Sequence, residues 1–367
     1  MSIVLIFLIF LCIYKIEGYI YKRYCFEKLT SDIKFKDTAI FQGEESEIVE
    51  TISNKKIIPI WWISIRFPIS AYLNFNKENV KDNGNIVYRK DIFSIKPYEK
   101  LEKHYTFKGE RRGCYEINEY SLKTSNFFVE YNFVENIKKH IEMYVYPRVI
   151  PELEFDLRLS NLIGEIEVEH DIIEDPFKLR SVREYSTLDS IKKVNWTATA
   201  KTGDLKVNEY EYTMGSEITV FLNVERYNSW DSEDLVEEGI NIANTLGIRC
   251  GEKGISLRLI SNCCEKDEDE NIDVKSGCEN EYYRTLARIN INNYKEHLSR
   301  IIKDNINENC MRGMFIIISH YISDDLQKVI LDARAMGINT KWIIPKKEGT
   351  DIVVDNDEDI FVWEVIG

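Results

Sequence analysis

Hydrophobic and polar positions fall into four successive patterns along the chain. Residues 3–14 form an unbroken apolar run, IVLIFLIFLCIY, and the next hundred residues alternate apolar with polar positions between turn residues. A mixed stretch follows, and the last part alternates strand-like with helix-like segments. Period-two alternation is typical of half-buried strands, and spacings of three and four are typical of helices. These patterns predict a membrane anchor at 1–24, a β domain at 30–147, a connector at 148–215 and an α/β domain at 216–367.

The β domain is predicted to be an antiparallel sandwich of the immunoglobulin-like kind. Its strand-like runs are short and regularly spaced, and turn residues such as Asp82-Asn83-Gly84-Asn85 separate them. Two adjacent rings, Trp61 and Trp62, are interpreted as one core ring and one rim ring, in preference to a platform for a ligand.

The α/β domain is predicted to contain a mainly parallel sheet covered by helices on both faces. Apolar runs of five or more residues are typical of strands buried on both sides. The predicted order is strand EITVFLNV, helix 232–246, strand ISLRLIS, an acidic loop 265–273, helices within 281–305, strand GMFIIIS, helix 324–336, strand TKWII and strand IFVWEV.

The connector is predicted to carry strand-like patches up to Tyr185, then one helix and one strand. The sequence Ser186-Thr187-Leu188-Asp189 resembles a capping box and predicts a helix that runs to about Ala200. Gly203 is placed to end this helix as a C-terminal cap. One face of the predicted helix would carry Leu188, Ile191, Val194 and Ala198, and the strand would follow at 205–212.

The apolar run near the N-terminus is interpreted as an uncleaved, single-pass membrane anchor. Its twelve residues cover only about 18 Å as a helix, so spanning requires extension to Tyr21 with Lys15 and Glu17 reaching toward the headgroups. A cleaved signal peptide is disfavoured because neither a basic start nor a small-x-small cleavage site is present. Basic residues follow the run, namely Lys15, Lys22, Arg23 and Lys28, which predicts a cytoplasmic globular part at the cell membrane.

Charge and cysteine content narrow the class of protein further. The formal net charge is −14, and such a surface repels phosphate backbones, so no nucleic-acid partner is expected. The eight cysteines are scattered, which favours free thiols in a reducing compartment over a disulfide scaffold. A zinc site at Cys263, Cys264 and Cys278 is disfavoured because adjacent cysteines lack the usual two-residue gap.

Sequence motifs for common enzyme chemistry are not found. The sequence contains neither a phosphate-binding glycine loop nor a G-x-S-x-G elbow, and its five histidines are far apart in sequence. No catalytic residue, cofactor or small-molecule substrate is therefore predicted. Acidic residues are abundant, so an envelope hydrolase or transferase with paired carboxylates remains an alternative.

One long motif carries a resemblance to a known family. The stretch 182–211, VREYSTLDSIKKVNWTATAKTGDLKVNEYE, resembles the signature of the domain-of-unknown-function 58 family, and Gly109 to Tyr115 resembles that family's arginine-arginine-glycine hairpin. Leu188 stands in place of a glycine and Asn195 in place of an acid, and lysines replace arginines at several positions. The candidate partner-binding residues within the motif are Arg183, Tyr185, Asp189, Trp196, Lys201 and Glu209. An alternative interpretation is structural, with Arg183, Asp189 and Glu209 forming ion pairs around Trp196.

The resemblance implies a multidomain α+β fold: an N-terminal anchor, a sandwich and a C-terminal von Willebrand factor A-like domain. Many such domains bind magnesium through D-x-S-x-S after the first strand. Here those positions are Asn223, Glu225 and Tyr227, so a degenerate site without metal is expected. The family also implies a non-catalytic adaptor or assembly protein that works with a MoxR-type AAA+ ATPase. A purely structural envelope scaffold is a further alternative.

Overall fold

The computed structural model describes the chain as two units, Met1–Arg148 and Val149–Gly367. We refer to them as unit 1 and unit 2. The described residues are 2–75, 80–82, 86–129, 132–171, 174–186, 194–212, 217–226, 233–264, 271–275, 279–308, 313–350 and 359–365. The chain has an α+β fold with an apolar N-terminal helix and several β-sheets.

The apolar run lies within one continuous helix, α1 (Ser2–Tyr24). Its length and composition over Val4–Tyr24 are sufficient for a membrane crossing, and almost all of these residues are exposed. Tyr21 is the exception, since only 3% of it is exposed. The helix ends where the Lys56 ammonium donates to the carbonyl oxygens of Tyr24, at 2.6 Å, and of Cys25. A cation is stabilising there because the C-terminal carbonyls of a helix carry partial negative charge.

Unit 1 contains two sheets whose inward residues share one hydrophobic cluster. The four-stranded sheet has the order β1-β3-β8-β5 and the six-stranded sheet the order β2-β10-β9-β4-β7-β6. All strand pairs are antiparallel except the β2–β10 pair. The strands are β1 (Leu29–Phe35), β2 (Ala39–Phe41), β3 (Glu45–Asn54), β4 (Ile60–Ser70), β5 (Leu73–Phe75), β6 (Val80–Asp82), β7 (Ile86–Ile95), β8 (Lys100–Gly109), β9 (Gly113–Ser125) and β10 (Asn132–Tyr146).

Unit 2 contains a six-stranded sheet of order β15-β14-β13-β16-β17-β18. Its strand pairs are parallel except β14–β15, which is antiparallel. The acidic stretch predicted as a loop thus contributes part of an edge strand. The strands are β13 (Glu217–Leu222), β14 (Leu257–Cys264), β15 (Asn271–Lys275), β16 (Gly313–Ile318), β17 (Asn339–Lys347) and β18 (Ile360–Val365).

Helices cover both faces of this sheet because its strand residues alternate between two hydrophobic clusters. In β16, Ile316 packs in one cluster and its neighbours Phe315 and Ile317 pack in the other. The first cluster includes helices α2 (Glu152–Asp171), α4 (Glu233–Glu252) and α5 (Glu279–Arg288), and the second includes α6 (Leu298–Glu308) and α7 (Asp324–Ala335).

Helix α2 occupies the first part of the region predicted to hold strand-like patches, so that prediction is wrong there, whereas a strand at Glu174–Glu184 confirms it for the second part. One face of α2 is buried through Phe155, Leu159, Leu162 and Ile166, at spacings of four, three and four. The Phe155 ring contacts the Trp363 ring of β18 at a centroid distance of 6.1 Å. On the same helix, the Arg158 guanidinium lies 4.4 Å from the Trp363 ring centre and donates to the Glu364 carbonyl at 2.5 Å.

The remaining elements form a small two-stranded sheet, β11 (Glu174–Glu184) and β12 (Lys206–Tyr212), with α3 (Trp196–Thr202) between them in sequence. The predicted helix starting at Ser186 is wrong in extent, because Val194 forms a β-bridge with Val207 and the helix starts at Trp196. The prediction for its end is confirmed: Gly203 caps α3 with a φ of 83°, and its N–H donates to the Thr199 carbonyl.

Candidate functional site

Polar side chains converge where the central strands of the unit 2 sheet end. Asn223 follows β13 directly, Ser319 follows β16, and Asn262 lies near the end of β14. The carboxyl ends of parallel strands meet at one edge, which is where open α/β sheets usually bind ligands. Backbone pairing continues one residue past the strands, since Asn223 N–H donates to the Ile318 carbonyl at 2.9 Å. All three side chains are buried. We call this group, with Glu225 and His297, the edge cluster.

The Asn223 amide is fully engaged by its neighbours. Its Oδ1 accepts from the Glu225 backbone N–H at 3.0 Å and from Asn262 Nδ2 at 2.9 Å. Its Nδ2 donates to Ser319 Oγ at 2.9 Å, and Ser319 in turn donates to the Tyr321 carbonyl at 2.7 Å. These bonds fix the ends of three strands to one another, because each polar group has a partner within the cluster.

The Glu225 side chain is only 6% exposed, and N–H donors from the protein surround its carboxylate. Oε1 accepts from the Leu298 backbone N–H at 2.8 Å and from Asn262 Nδ2 at 3.1 Å. Oε2 lies 2.9 Å from His297 Nδ1. Leu298 is the first residue of α6, and a carboxylate at a helix N-terminus is stabilised by the helix dipole and by the unpaired N–H groups there.

The edge cluster does not fit a magnesium centre. The side-chain oxygens of Asn223 and Glu225 that a hard cation would need already accept from nitrogen donors. A cation would have to displace these donors or lie against their positive ends. Tyr227, the third position of the expected degenerate motif, lies outside the described residues. Glu225 therefore acts here as a cap for α6, and the absence of a metal site stays a prediction.

His297 of the edge cluster and His320, which follows Ser319 in sequence, have pKa values that are shifted in opposite directions. The Glu225 carboxylate, through a hydrogen bond and its charge, raises the pKa of His297 above its ordinary value. Burial, with a smaller contribution from Arg226, lowers the pKa of His320 to about 4. His297 has an exposed side chain held by a buried carboxylate, an arrangement that can accept or donate a proton.

The His297–Glu225 pair predicts a pH-dependent contribution to stability. Because the folded pKa of His297 is raised, the contribution is complete below the unfolded value of about 6.5 and disappears as pH rises through the folded value. We expect His297→Gln to lower the melting temperature of the full chain at pH 5.5 and to leave it almost unchanged at pH 9. The effect should stay below about 1 kcal/mol, since the imidazole is largely exposed.

The control for this prediction is His140→Gln in unit 1, where the imidazole Nδ1 is bonded to Asn118 Oδ1 and not to a carboxylate. Differential scanning calorimetry at both pH values compares each variant with the wild type. An equal loss of stability by His297→Gln at pH 5.5 and at pH 9 would contradict the electrostatic origin of the effect.

The family-signature residues lie on the small sheet and on α3. Arg183 is exposed in β11 and donates to the Glu184 carbonyl at 3.0 Å, and Tyr185 is half-buried. Trp196 is 66% exposed at the first position of α3, and Lys201 is exposed in the last turn of that helix. Asp189 lies outside the described residues, and only the backbone of Glu209 is described, in β12. The predicted ion pairs around Trp196 therefore stay a prediction.

A set of local bonds holds α3 and its exposed tryptophan on the sheet. Asn195 caps the helix, since its Oδ1 accepts from the Ala198 N–H at 2.9 Å, and its Nδ2 donates to Asn208 Oδ1 at 2.6 Å. Its backbone N–H donates to the Lys206 carbonyl at 2.8 Å. Asn195, where the resemblance would place an acid, thus has a structural role. A short helix needs such a cap, because it has few internal hydrogen bonds.

Sequence reasoning missed three members of the edge cluster, namely Asn262, Ser319 and His297. The first two could have been found as polar residues at the ends of apolar strand runs. A second polar group, also missed, lies on β9 and β10 of unit 1. The Cys114 Sγ and one carboxylate oxygen each of Glu116 and Glu142 lie within 4.8 Å of one another, and Cys114 and Glu116 border a cleft of about 340 Å³. Both glutamates are exposed, and exposed acidic groups commonly lie together without an ion.

Comparisons with known proteins give no family assignment. No protein-family model and no curated protein matches the chain. Similar solved structures include the sporulation control protein Spo0M of Bacillus subtilis (16% identity, 38% of this chain and 56% of that chain, TM-score 0.20). Also similar is a non-cellulosomal cohesin of Archaeoglobus fulgidus, with 11% identity over 32% of this chain and 91% of that chain and a TM-score of 0.22. A CARDB domain of Pyrococcus furiosus has 14% identity over 32% of this chain and 84% of that chain, with a TM-score of 0.20. Likeness at this level carries no argument about fold or function, and the family resemblance stays a prediction.

Proposed function

We propose that the chain is a membrane-tethered, non-catalytic adaptor that takes part in the assembly of other proteins. The observation that carries this proposal is the exposed Trp196, held by its cap at the surface of a small sheet in unit 2. Large aromatic rings are uncommon at a solvent-facing position of a short helix and are enriched at the centres of protein interfaces. Helix α1 supports the tether, since it is long and apolar enough to cross a bilayer.

Two features of the fold support the finer assignment of the domains. The two sheets of unit 1 share one hydrophobic cluster, as the sheets of an immunoglobulin-like sandwich do. The unit 2 sheet is mainly parallel and buried on both faces, as in von Willebrand factor A-like and other Rossmann-like domains. The edge cluster takes the place of that family's metal ligands in this proposal, so unit 2 would act by binding a protein.

The proposed partner is a MoxR-type AAA+ ATPase, as the family resemblance implies. The docking surface would contain Trp196 together with exposed side chains of the same small sheet, its helix α3 and their connection, namely Val182, Arg183, Lys201 and Leu205. An apolar centre with a charged rim is typical of transient protein interfaces. The positive-inside rule supports a cytoplasmic position for this surface, because Lys15, Lys22 and Arg23 lie in the second half of α1, after the apolar run.

A pull-down from detergent-solubilised membranes tests the partner and the surface together. Wild-type protein should recover a MoxR-type ATPase, and Trp196→Ala should reduce the recovery about tenfold or more, as expected for an interface hot spot. Because the ring is exposed, the same change should alter the free energy of unfolding by no more than about 0.5 kcal/mol. The ATPase is identified by mass spectrometry and its amount by immunoblot.

The matched control is Leu331→Ala, which removes an exposed apolar side chain from α7, away from the signature residues in sequence. This variant should recover as much ATPase as the wild type. Repeated absence of any such ATPase from the wild-type sample would contradict the proposed partner. Equal recovery by Trp196→Ala would contradict the proposed surface.

A further inference from the structure

Helix α1 does not leave unit 1 as a free stalk, because its second half is bonded to the tip of the β9–β10 hairpin. Glu17 Oε1 accepts from the Phe127 backbone N–H and its Oε2 from Asn126 Nδ2, both at 3.1 Å. One turn further, Tyr21 Oη lies 2.6 Å from Thr124 Oγ1. The Glu17 carboxylate thus has protein partners, in contrast to the prediction that it reaches toward headgroups. These bonds fix the height of unit 1 along the helix axis.

A group of exposed apolar side chains lies next to the helix at this height. We call Trp61, Trp62, Phe127, Phe128 and Val129 the aromatic rim. Between 38% and 54% of each residue is exposed, so the prediction that one of the two tryptophans is a core ring is wrong. The Trp61 and Phe127 rings are in edge contact at 5.2 Å, and Phe127 contacts Phe128 in the same manner. Three rings of the rim are therefore connected by contacts, and Trp62 and Val129 adjoin them in sequence.

The rim reaches the C-terminal half of the apolar run of α1. The Phe128 ring lies 5.1 Å from the Tyr14 ring and 6.0 Å from the Phe10 ring, centre to centre. Phe10 is flanked on both sides by exposed apolar residues of the helix, including Ile9, Leu11 and Ile13. A bilayer that takes these residues into its hydrocarbon core should therefore also meet Phe128 and its neighbours, since ring contacts and the hydrogen bonds of Glu17 and Tyr21 place them at the same level.

We propose that the aromatic rim is embedded in the interfacial layer of the bilayer that holds α1. This inference rests on the membrane tether of the proposed function and is independent of the proposed ATPase. Tryptophan is enriched at the boundary between headgroups and acyl chains, because its ring is apolar and its N–H is polar. Lys15, whose ammonium lies 5.6 Å from the Tyr14 ring centre, is placed to meet lipid phosphates at the same boundary.

The conformation of the hairpin tip agrees with this position. Val129 has a φ of 58°, a left-handed conformation that β-branched residues rarely adopt, and its N–H donates to the Asn126 carbonyl at 2.9 Å. In water, glycine or asparagine would be favoured at such a turn. A valine here gains nothing from exposure to solvent, whereas contact with acyl chains would bury its side chain and offset part of the strain.

Fluorescence quenching by brominated lipids tests the proposal on the full chain. The protein is reconstituted into vesicles of phosphatidylcholine and phosphatidylglycerol, with or without bromine at shallow acyl positions. Wild-type tryptophan emission should fall in the brominated vesicles, and the double variant Trp61→Phe/Trp62→Phe should lose this fall. Phenylalanine keeps the rim apolar, and circular dichroism verifies that the variant is folded.

Trp196→Phe is the matched control, since it removes an exposed tryptophan that lies in unit 2, outside the rim. This variant should show the same lipid-dependent quenching as the wild type. The proposal for the rim would be overturned if the double variant were quenched as strongly as the wild type, or if vesicle-bound wild type were not quenched at all. Either result would leave the membrane tether in place. If an alkaline carbonate wash released the wild-type protein from the vesicles, both the proposed position of the rim and the proposed membrane tether would be overturned. Neither result depends on recovery of the ATPase.

Discussion

Replacing Asn223 with aspartate is expected to destabilise unit 2 by about 2–5 kcal/mol, because it places an unpaired charge in a buried network. The new carboxylate would lie close to Glu225, since the Asn223 side chain accepts a hydrogen bond from the Glu225 backbone N–H. It would also lose the N–H that Asn223 now donates to Ser319 Oγ, so that two oxygens would face each other. Urea unfolding of the full chain in detergent, followed by far-ultraviolet circular dichroism, should show a lower midpoint for the transition of unit 2.

The matched control is Asn293→Asp, the same substitution at an exposed position shortly before His297 in sequence. It should change the free energy of unfolding by no more than about 0.5 kcal/mol. Each variant is also measured with added magnesium. If Asn223→Asp were as stable as the wild type without magnesium, the hydrogen-bond network would not need the Asn223 amide. Restoration of stability by magnesium would show that the edge cluster can hold a cation, contrary to our interpretation of its donors.

Replacing Leu162 with alanine should lower the free energy of unfolding of unit 2 by about 2–5 kcal/mol, as large-to-small changes in a closed core do. Leu162 has no exposed surface and packs in the cluster formed by α2, α4 and the sheet. Leu157, five residues earlier on the same helix, is 76% exposed. Leu157→Ala therefore removes the same atoms from the same helix and should change stability by no more than about 0.5 kcal/mol.

Both leucine variants can be measured by the same urea titration. Similar effects of Leu162→Ala and Leu157→Ala would contradict the orientation of α2 described here. A large effect of Leu157→Ala alone would mean that the opposite face of the helix is the buried one. The comparison is sensitive because alanine has a high helix propensity, so that packing dominates the difference between the two positions.

The sequence pattern located most elements of the second half of the chain, since their strands are buried on both faces and are therefore uninterrupted apolar runs. It failed at α2. The stretch EIEVEH alternates in period two, which favours a strand, whereas Phe155, Leu159, Leu162 and Ile166 fit a helix. Leu159 has non-helical φ and ψ angles of −127° and 19°, so the helix is kinked and its pattern is less regular. Length decides such conflicts, because twenty residues are too many for one strand.

The start of α3 shows a second kind of failure. Ser186 to Asp189 has the composition of a capping box, yet Asn195 is the residue that caps a helix. Val194 fits the apolar face of the predicted helix equally well, but it pairs with Val207 in the fold. A bridge between residues thirteen apart is not visible in a local pattern, because β pairing is decided by contacts with the rest of the chain.

The candidate site was predictable only in part. The family resemblance indicated Asn223 and Glu225, through the positions that it expects to hold a metal after the first strand of the α/β domain. Their partners could not be assigned, since Asn262 and His297 come from 37 and 72 residues beyond Glu225. The order of the strands decides which residues meet at the edge of a sheet. This order cannot be inferred from the periodicity of hydrophobic residues in the sequence. The role of Glu225 as a helix cap followed only from the position of α6.

The contact of Arg158 with the last strand has a consequence for solubility. β18 is at one end of the strand order described for unit 2, and such a strand presents backbone groups to which a strand of another molecule can add. Arg158 donates to the Glu364 carbonyl and lies over the Trp363 ring, so it blocks strand addition at that carbonyl while α2 is in place. Detachment of α2 would remove the block before the sheet itself unfolds, and destabilised forms of unit 2 should consequently be prone to intermolecular strand pairing.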